Sequence, residues 1–270
     1  MHTISKINKL EFIEGSGHLL TLEHPKNHDN GACKLAGGYM KTSLLNLLRS
    51  VDTPTVCNAI EVAQGKRGFS KFTRDTMIPS DQKNKAIIGF ARTASIKALE
   101  PSDEVADVIK ARRMAYYKYM SDSNKPSIAV VEDLDFPKAV GAYWGEINCT
   151  IHKAFGISGT LTNGVMRDLD DLPKDYPVIA GSIGPSHSFV RIEEINVDVN
   201  IFGLKVSPND LVHADKHGAL VIPNEIIPDL EAAVIKLLDT EQIILKPAQK
   251  ESMSFSEFEK AWKAFENSRT

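Results

Sequence analysis

Blocks of apolar residues change period along this chain, and the period assigns most of its elements. In TSLLNLLR (Thr42–Arg49) the leucines recur at helical spacing. Asp52-Thr53-Pro54-Thr55 reads as a stop and a restart, after which TVCNAIEVA continues as helix. AIIGFARTA (Ala86–Ala94) is apolar almost throughout, the pattern of a buried strand with one glycine in it. Ser102 is placed to cap a helix over 103–120, with Asp103 and Glu104 in its first turn, where the helix dipole favours acids. Val105, Val108, Ile109, Arg112, Tyr116 and Tyr119 follow at helical spacing and make that helix amphipathic, its tyrosines read as packing. SIAVVE (Ser127–Glu132) reads as a strand.

From 145 to 223 the predicted elements are short and mixed: helix 146–155, strand 159–163, a turn carrying Arg-Asp, then strand 177–181. Phe189–Ile195, Val199–Val206, Leu211–Ala214 and Ala219–Ile222 are spaced like an antiparallel region, with Pro208-Asn209-Asp210 and Lys216-His217-Gly218 as turn chemistry. A long helix is expected from about Asn224 to Lys246, broken near Pro228 and ended by Pro247. A last helix covers Ser256–Asn267. Helices, a β-rich middle and terminal helices, with only a few βαβ-like units, fit a layered α/β or α+β domain. The division expected is an N-terminal extension (1–41), a central domain (42–246) and a C-terminal helical extension (247–270).

Composition narrows the function classes. The chain has 270 residues, 42% hydrophobic and 25% charged, with a formal charge of −3, as expected of a globular protein with a real core. That charge argues against an electrostatic nucleic-acid binder, which needs a surplus of Lys and Arg. No stretch approaches the roughly 18 to 20 apolar residues that span a bilayer. The opening MHTISKINKLEFIEG lacks an apolar core of signal-peptide length, so a cytoplasmic location is expected. Cys33, Cys57 and Cys149 are few, odd in number and widely spaced, which points to a reducing compartment without disulfides or a zinc cluster. Cys57 and Cys149 read as small core residues. The first 38 residues carry His2, His18, His24 and His28 and a hairpin candidate in LEFIEGSGHLLTLE. Scattered histidines in such a polar arm read as solvated rather than metal-binding.

Standard nucleotide, hydrolase and zinc-protease motifs are missing. What remains is one dense stretch: Trp144-Gly145-Glu146-Ile147-Asn148, then Thr162-Asn163-Gly164-Val165-Met166-Arg167-Asp168-Leu169-Asp170-Asp171. An arginine and three carboxylates crowd into five residues behind an apolar strand, where layered α/β folds keep their sites. Carboxylates suit a hard divalent cation, and a guanidinium presents a planar fork to a substrate carboxylate. An Asp capping a helix while Arg pairs with it explains the same residues structurally. The segment alone leaves both readings open.

The run Trp144-Gly145-Glu146, twenty residues, Arg167-Asp168 resembles the RraA-like family. That family contains the class II 4-hydroxy-4-methyl-2-oxoglutarate aldolases and the regulator of ribonuclease activity A. Asp171 fills the place of a further acid that the aldolase branch often carries. Pro208-Asn209-Asp210-Leu211 and His213-Ala214-Asp215 through Pro223 are similar to two later family segments, and Leu48–Ile60 to its first helical motif. The resemblance covers about residues 42–246. Departures are Glu146 for Asp, Asn163 and Asn58 for acids, and a loop, Gly181–Ser188, that has lost basic character.

The resemblance implies a β/β/α swivelling-domain fold, phosphohistidine-domain-like and layered, assembled as a homotrimer or homohexamer with shared sites. It implies a metal-dependent lyase that cleaves a 4-hydroxy-2-oxo acid to pyruvate by retro-aldol chemistry and decarboxylates oxaloacetate. Asp168 would hold Mg²⁺ or Mn²⁺, and Arg167 would bind the pyruvoyl unit and stabilise the enolate. The amides from Gly145 through Glu146 and Ile147 to Asn148 would receive the carboxylate. Glu146 would orient the cation's water or move a proton, with Asp171 as an additional acid. Glu241 is assigned to a neighbouring subunit's site. His187, after a Gly-Pro-Ser turn, is a candidate substrate contact, whereas His213 and His217 read as packing or hydrogen-bonding residues. The competing expectations are a non-enzymatic regulator that binds an RNA-processing enzyme, and a lyase or hydratase for an unrelated oxo acid.

Overall fold

A computed structural model describes residues 32–35, 38–83, 85–122 and 126–269. The four N-terminal histidines and the hairpin expected near Gly15-Ser16-Gly17 lie outside the described residues. The described chain opens with a hairpin of β1 (Ala32–Leu35) and β2 (Gly38–Lys41). Helices α1 (Thr42–Ser50) and α2 (Thr53–Gln64) follow, then the short β3 (Ile78–Pro79) and the long β4 (Ile87–Lys97). Next come α3 (Ala106–Ser121), β5 (Ser127–Asp133), β6 (Ala142–Trp144) and α4 (Glu146–Ala154). The strands β7 (Ile157–Thr162), β8 (Val165–Met166), β9 (Val178–Ala180), β10 (Ser182–Ile183) and β11 (Arg191–Ile195) continue the chain. It ends with β12 (Val199–Ile201), β13 (Leu204–Val206), β14 (Leu211–Asp215) and β15 (Gly218–Ile222), then α5 (Ile227–Ala248) and α6 (Phe255–Arg269).

The main sheet runs β15-β14-β4-β5-β7-β9-β3, with β11 also paired to β4. Its centre, β4-β5-β7-β9, is parallel, and β3, β11, β14 and β15 join antiparallel. Strand alternation sorts the core into three clusters. Ile87, Ala91, Ile128, Val130 and Leu161 point to one face, where Val199, Ile201, Leu204 and Val206 of the β12–β13 hairpin cover them. On the other face, Ile88 and Phe90 pack with Leu48, Val56, Ile60 and Leu230 of α1, α2 and α5. Farther along that face, Ala94, Ile96, Ala129 and Val131 meet Tyr116 and Met120 of α3 and Cys149 of α4. Hairpin, sheet and helices form β, β and α layers, and burial on both faces explains the near-continuous apolar runs of β4 and β5.

Several predicted boundaries move. Helix α3 starts at Ala106, after Val105, and Ser102 does not cap it. The Ser102 hydroxyl instead accepts from Glu104 N–H, and the Glu104 carboxylate is held by Arg112 at 2.5 and 2.9 Å, which fixes the preceding turn outside the helix. Val199–Val206 is two strands rather than one. The break expected near Pro228 falls at Ile226, where the Asn224–Ile226 3₁₀ turn gives way to α5 with Pro228 in its first turn, and Pro247 lies inside α5, which runs on to Ala248. His213 and His217 take the expected structural parts. Buried His213 contacts Thr53 Oγ1 at 3.0 Å and donates through Nε2 to Leu48 O, and His217 lies 3.2 Å from Asp215.

Candidate functional site

Three short parallel strands, β10-β8-β6, deliver three loops to one place. Trp144 ends β6 opposite Met166, which ends β8, and Arg167 N–H donates to Trp144 O at 2.8 Å. The residues that leave these strand ends, Gly145-Glu146 and Arg167-Asp168, are therefore neighbours. Two parallel strands need a crossover between them, and here α4 and β7 supply it. The twenty-residue spacing is the length of that helix, strand and turn.

Gly145 caps α4 in an extended conformation, with φ −127° and ψ −175°. A Cβ at this position would collide with the Asp168 carboxylate and come within 2.9 Å of Arg167 Nε, so these two side chains keep their places only opposite a glycine. Asp168 has φ 55°, the left-handed region that Asp tolerates better than most residues. Its strained turn is held by Asp171 N–H donating to Asp168 O at 3.0 Å. Asp168 Oδ2 accepts from Glu146 N–H at 3.1 Å and lies 3.5 Å from Arg167 Nε. Both side chains of that pair are about a third exposed, so water screens the attraction.

Beside this pair is a cavity of about 480 Å³. Gly145, Ile147, Asn148, Arg167 and His187 line it, so five of the expected substrate contacts meet there. Glu146 and Asp171 are exposed and contribute main-chain bonds to the Asp168 turn. The Asn148 side chain has other duties: it donates to Tyr143 O and accepts from Tyr117 OH, both at 2.7 Å. Its backbone N–H, in the first turn of α4, is the group left for an anion. His187 Nδ1 lies 2.7 Å from Ser188 O, which leaves Nε2 for the cavity. Glu241 sits on α5, which packs with α1, α2 and α6 at the other end of the helical layer. Within this chain it is not brought to the Arg167-Asp168 turn.

Two cavity residues have no place in the sequence reading: Arg113 of α3 and Arg191 of β11. Arg191 is occupied by Glu193 Oε1 and Glu100 O, both at 2.7 Å. Arg113 lies one turn before Tyr117, whose bond to Asn148 fixes α3 against α4; that tertiary contact has no local sequence signal. Among the described residues, no group of three or more His, Cys, Asp or Glu side chains is placed to hold a metal ion. No described helix is long and apolar enough to cross a membrane.

Similarity to known proteins accords with this geometry. A protein of Methanocaldococcus jannaschii without assigned function is 27% identical over 188 residues, 69% of this chain and 79% of its own. A provisionally named 4-hydroxy-4-methyl-2-oxoglutarate aldolase of Halalkalibacterium halodurans is 26% identical over 161 residues, covering 56% of this chain and 75% of its own. The crystal structure of Streptomyces coelicolor RraAS2, described as an unusual member of the RNase ES inhibitor RraA family, shares the fold with a TM-score of 0.56. It is 23% identical and covers 75% of this chain and 94% of that one. The RraA-like family model, described as Aldolase/RraA, matches residues 53–221. The chain belongs to the RraA-like family.

Proposed function

We propose that this protein is a divalent-metal-dependent lyase that cleaves a 4-hydroxy-2-oxo acid, of the 4-hydroxy-4-methyl-2-oxoglutarate type, to pyruvate, and that it also decarboxylates oxaloacetate. The observation that carries the reading is the meeting of Arg167, Asp168 and the first turn of α4 at the edge of a cavity of about 480 Å³. The donor set fits Mg²⁺ or Mn²⁺ in its sparse mode, in which one or two carboxylates bind and water completes the shell. Asp168 would hold the ion, with exposed Glu146 and Asp171 beside it; a cage of three or more protein ligands does not fit these residues. Once bound, the cation stabilises the enolate oxygen as a Lewis acid.

The chain's own groups do the rest. Arg167 presents its terminal nitrogens, which make no bond to a described residue, to the carboxylate or 2-oxo group of the substrate. The Ile147 and Asn148 N–H groups at the start of α4 receive the carboxylate. In cleavage the 4-hydroxyl loses its proton to Glu146 and becomes the carbonyl of the departing fragment. The C3–C4 electron pair stays on C3 as the enolate, which takes a proton to give pyruvate. Arg167 faces the developing charge, and removal of one such donor costs about 10²- to 10³-fold in rate. We assign the central domain to residues 42–246 and the cell compartment to the cytoplasm. The assembly is a homotrimer or homohexamer in which Glu241 serves a neighbouring subunit's site.

The test is pyruvate release from 4-hydroxy-4-methyl-2-oxoglutarate and from oxaloacetate, with Mg²⁺ or Mn²⁺, with chelator, and in Asp168→Ala. Turnover that needs both the cation and Asp168 supports the lyase. No turnover of either compound by folded, metal-supplied protein removes it and leaves a regulator of an RNA-processing enzyme as the reading to pursue.

A further inference from the structure

We propose that Tyr117, with the buried His152, is a positioning residue that aims the free N–H groups of the α4 first turn at a substrate carboxylate. The inference rests on the lyase reading above and deepens it, by naming what holds that dock in place. Helix α4 has only nine residues, and Gly145 at its start offers no side-chain cap. Glu146 N–H is spent on Asp168 Oδ2. The N–H groups of Ile147 and Asn148 remain, because the first turn of a helix has no intrahelical acceptor for them. Their direction is therefore set by whatever braces this turn from outside.

The bonds of Asn148 identify the brace. Its Oδ1 accepts from Tyr117 OH, its Nδ2 donates to Tyr143 O and its main-chain O accepts from His152 Nδ1, each at 2.7 Å. A carbonyl can only accept, so His152 carries its proton on Nδ1, and Nε2 accepts from Tyr116 OH at 2.7 Å. Burial pushes the His152 pKa down to about 4, which keeps the ring neutral and the direction of these bonds fixed. Asn148, His152 and Tyr116 are all buried, and a satisfied buried network of this kind rigidifies what it holds. Each polar group of Asn148 except its main-chain N–H is thus engaged. Two adjacent tyrosines of α3 anchor the arrangement, and half-buried Tyr117 also lines the cavity.

The experiment replaces Tyr117 by Phe, which removes the hydroxyl and keeps the ring. A substrate carboxylate carries the same charge before and during cleavage, so its dock contributes to binding rather than to the barrier. Tyr117→Phe should therefore raise KM for 4-hydroxy-4-methyl-2-oxoglutarate about 10-fold and leave kcat within about 3-fold. In an Asn148→Ala background, where the brace is already lost, Tyr117→Phe should raise KM by less than about 2-fold. Tyr176→Phe is the control for stability alone, since its hydroxyl bonds Thr160 Oγ1 at 2.8 Å within the same core cluster as Tyr116. It should lower the thermal midpoint and leave KM unchanged. An unchanged KM in Tyr117→Phe, or an equal rise in Tyr176→Phe, overturns the inference while the lyase stands. A full additional rise in the Asn148→Ala background overturns it too, because Tyr117 would then act without Asn148. If wild type releases no pyruvate, the lyase reading falls, and calorimetric titration with pyruvate and Mg²⁺ tests the brace alone. Binding about 10-fold weaker in Tyr117→Phe then supports it. Equal binding, or none by wild type, overturns it.

Discussion

Asp133 closes β5 with a carboxylate that water does not reach. Oδ1 accepts from Asp135 N–H at 3.0 Å, and Oδ2 has no hydrogen-bond partner. Burial, with a smaller push from the Asp135 and Glu132 carboxylates, raises its pKa from 3.8 to about 6. The same place explains Asn163, which stands where the family usually has an acid. Its amide accepts from Asp133 N–H at 2.7 Å and donates to Asp133 O at 3.1 Å. A carboxylate in its place could not donate to that carbonyl, and it would itself be buried. Because the folded state holds the Asp133 proton more tightly, this group stabilises most below about pH 4 and loses that contribution as pH rises to about 6. Asp133→Asn removes the titration. Relative to wild type, its unfolding free energy should rise by about 2 kcal/mol between pH 4 and pH 7, measured by urea unfolding. Equal differences at both pH values would refute the assignment. Gly145→Ala tests the other tight position. The added methyl must displace the Asp168 carboxylate, a side chain that can move, so the thermal midpoint should shift little. Displacement of about 1 Å is expected to cost around 10²-fold in kcat/KM.

Two helix starts show what local sequence can and cannot specify. Asp52 caps α2 as its position before Thr53-Pro54 predicts: Oδ1 accepts from Thr55 N–H at 2.9 Å. Asp52→Ala should therefore lower stability by about 1 kcal/mol in chemical denaturation, without altering pyruvate release. At α3 an equally good local signal loses, because Arg112, in the second turn of the helix, takes Glu104 and holds the capping segment in a turn. The β12–β13 hairpin was hidden for a related reason. Phe202 and Gly203 both have positive φ, 50° and 82°, as a two-residue hairpin turn requires. Phe is a poor turn residue, but its ring is buried and lies 5.1 Å from Phe136, so packing overrides turn chemistry. In the candidate site, the partners joined by one crossover, Gly145-Glu146 and Arg167-Asp168, were paired in the sequence only through the family resemblance that their twenty-residue interval carries. Arg113 and Arg191 carried no such signal, since α3 and β11 reach the cavity through contacts distant in sequence.

For the whole molecule, the question is whether one chain holds a complete site. Of the cavity-lining residues, Ile147 is 73% exposed and Phe189 54%, large apolar side chains of the kind that a neighbouring surface covers. Glu241 lies on α5, in the opposite part of the helical layer. If it acts in catalysis, it must do so in another subunit's site, as a closed ring of identical chains allows. This arrangement has a consequence that mutation within a single chain cannot imitate. Arg167→Ala and Glu241→Ala should each abolish most pyruvate release as pure assemblies. When equal amounts are co-expressed, a ring site is intact when an Arg167-bearing chain is followed by a Glu241-bearing one. Each condition is met half the time, so about one quarter of wild-type activity should return. Light scattering on the same samples must give a mass of several chains. No recovery in mixed rings would mean that both residues must be intact in one chain, full activity of Glu241→Ala alone would remove Glu241 from the site, and a single-chain mass would exclude shared sites altogether.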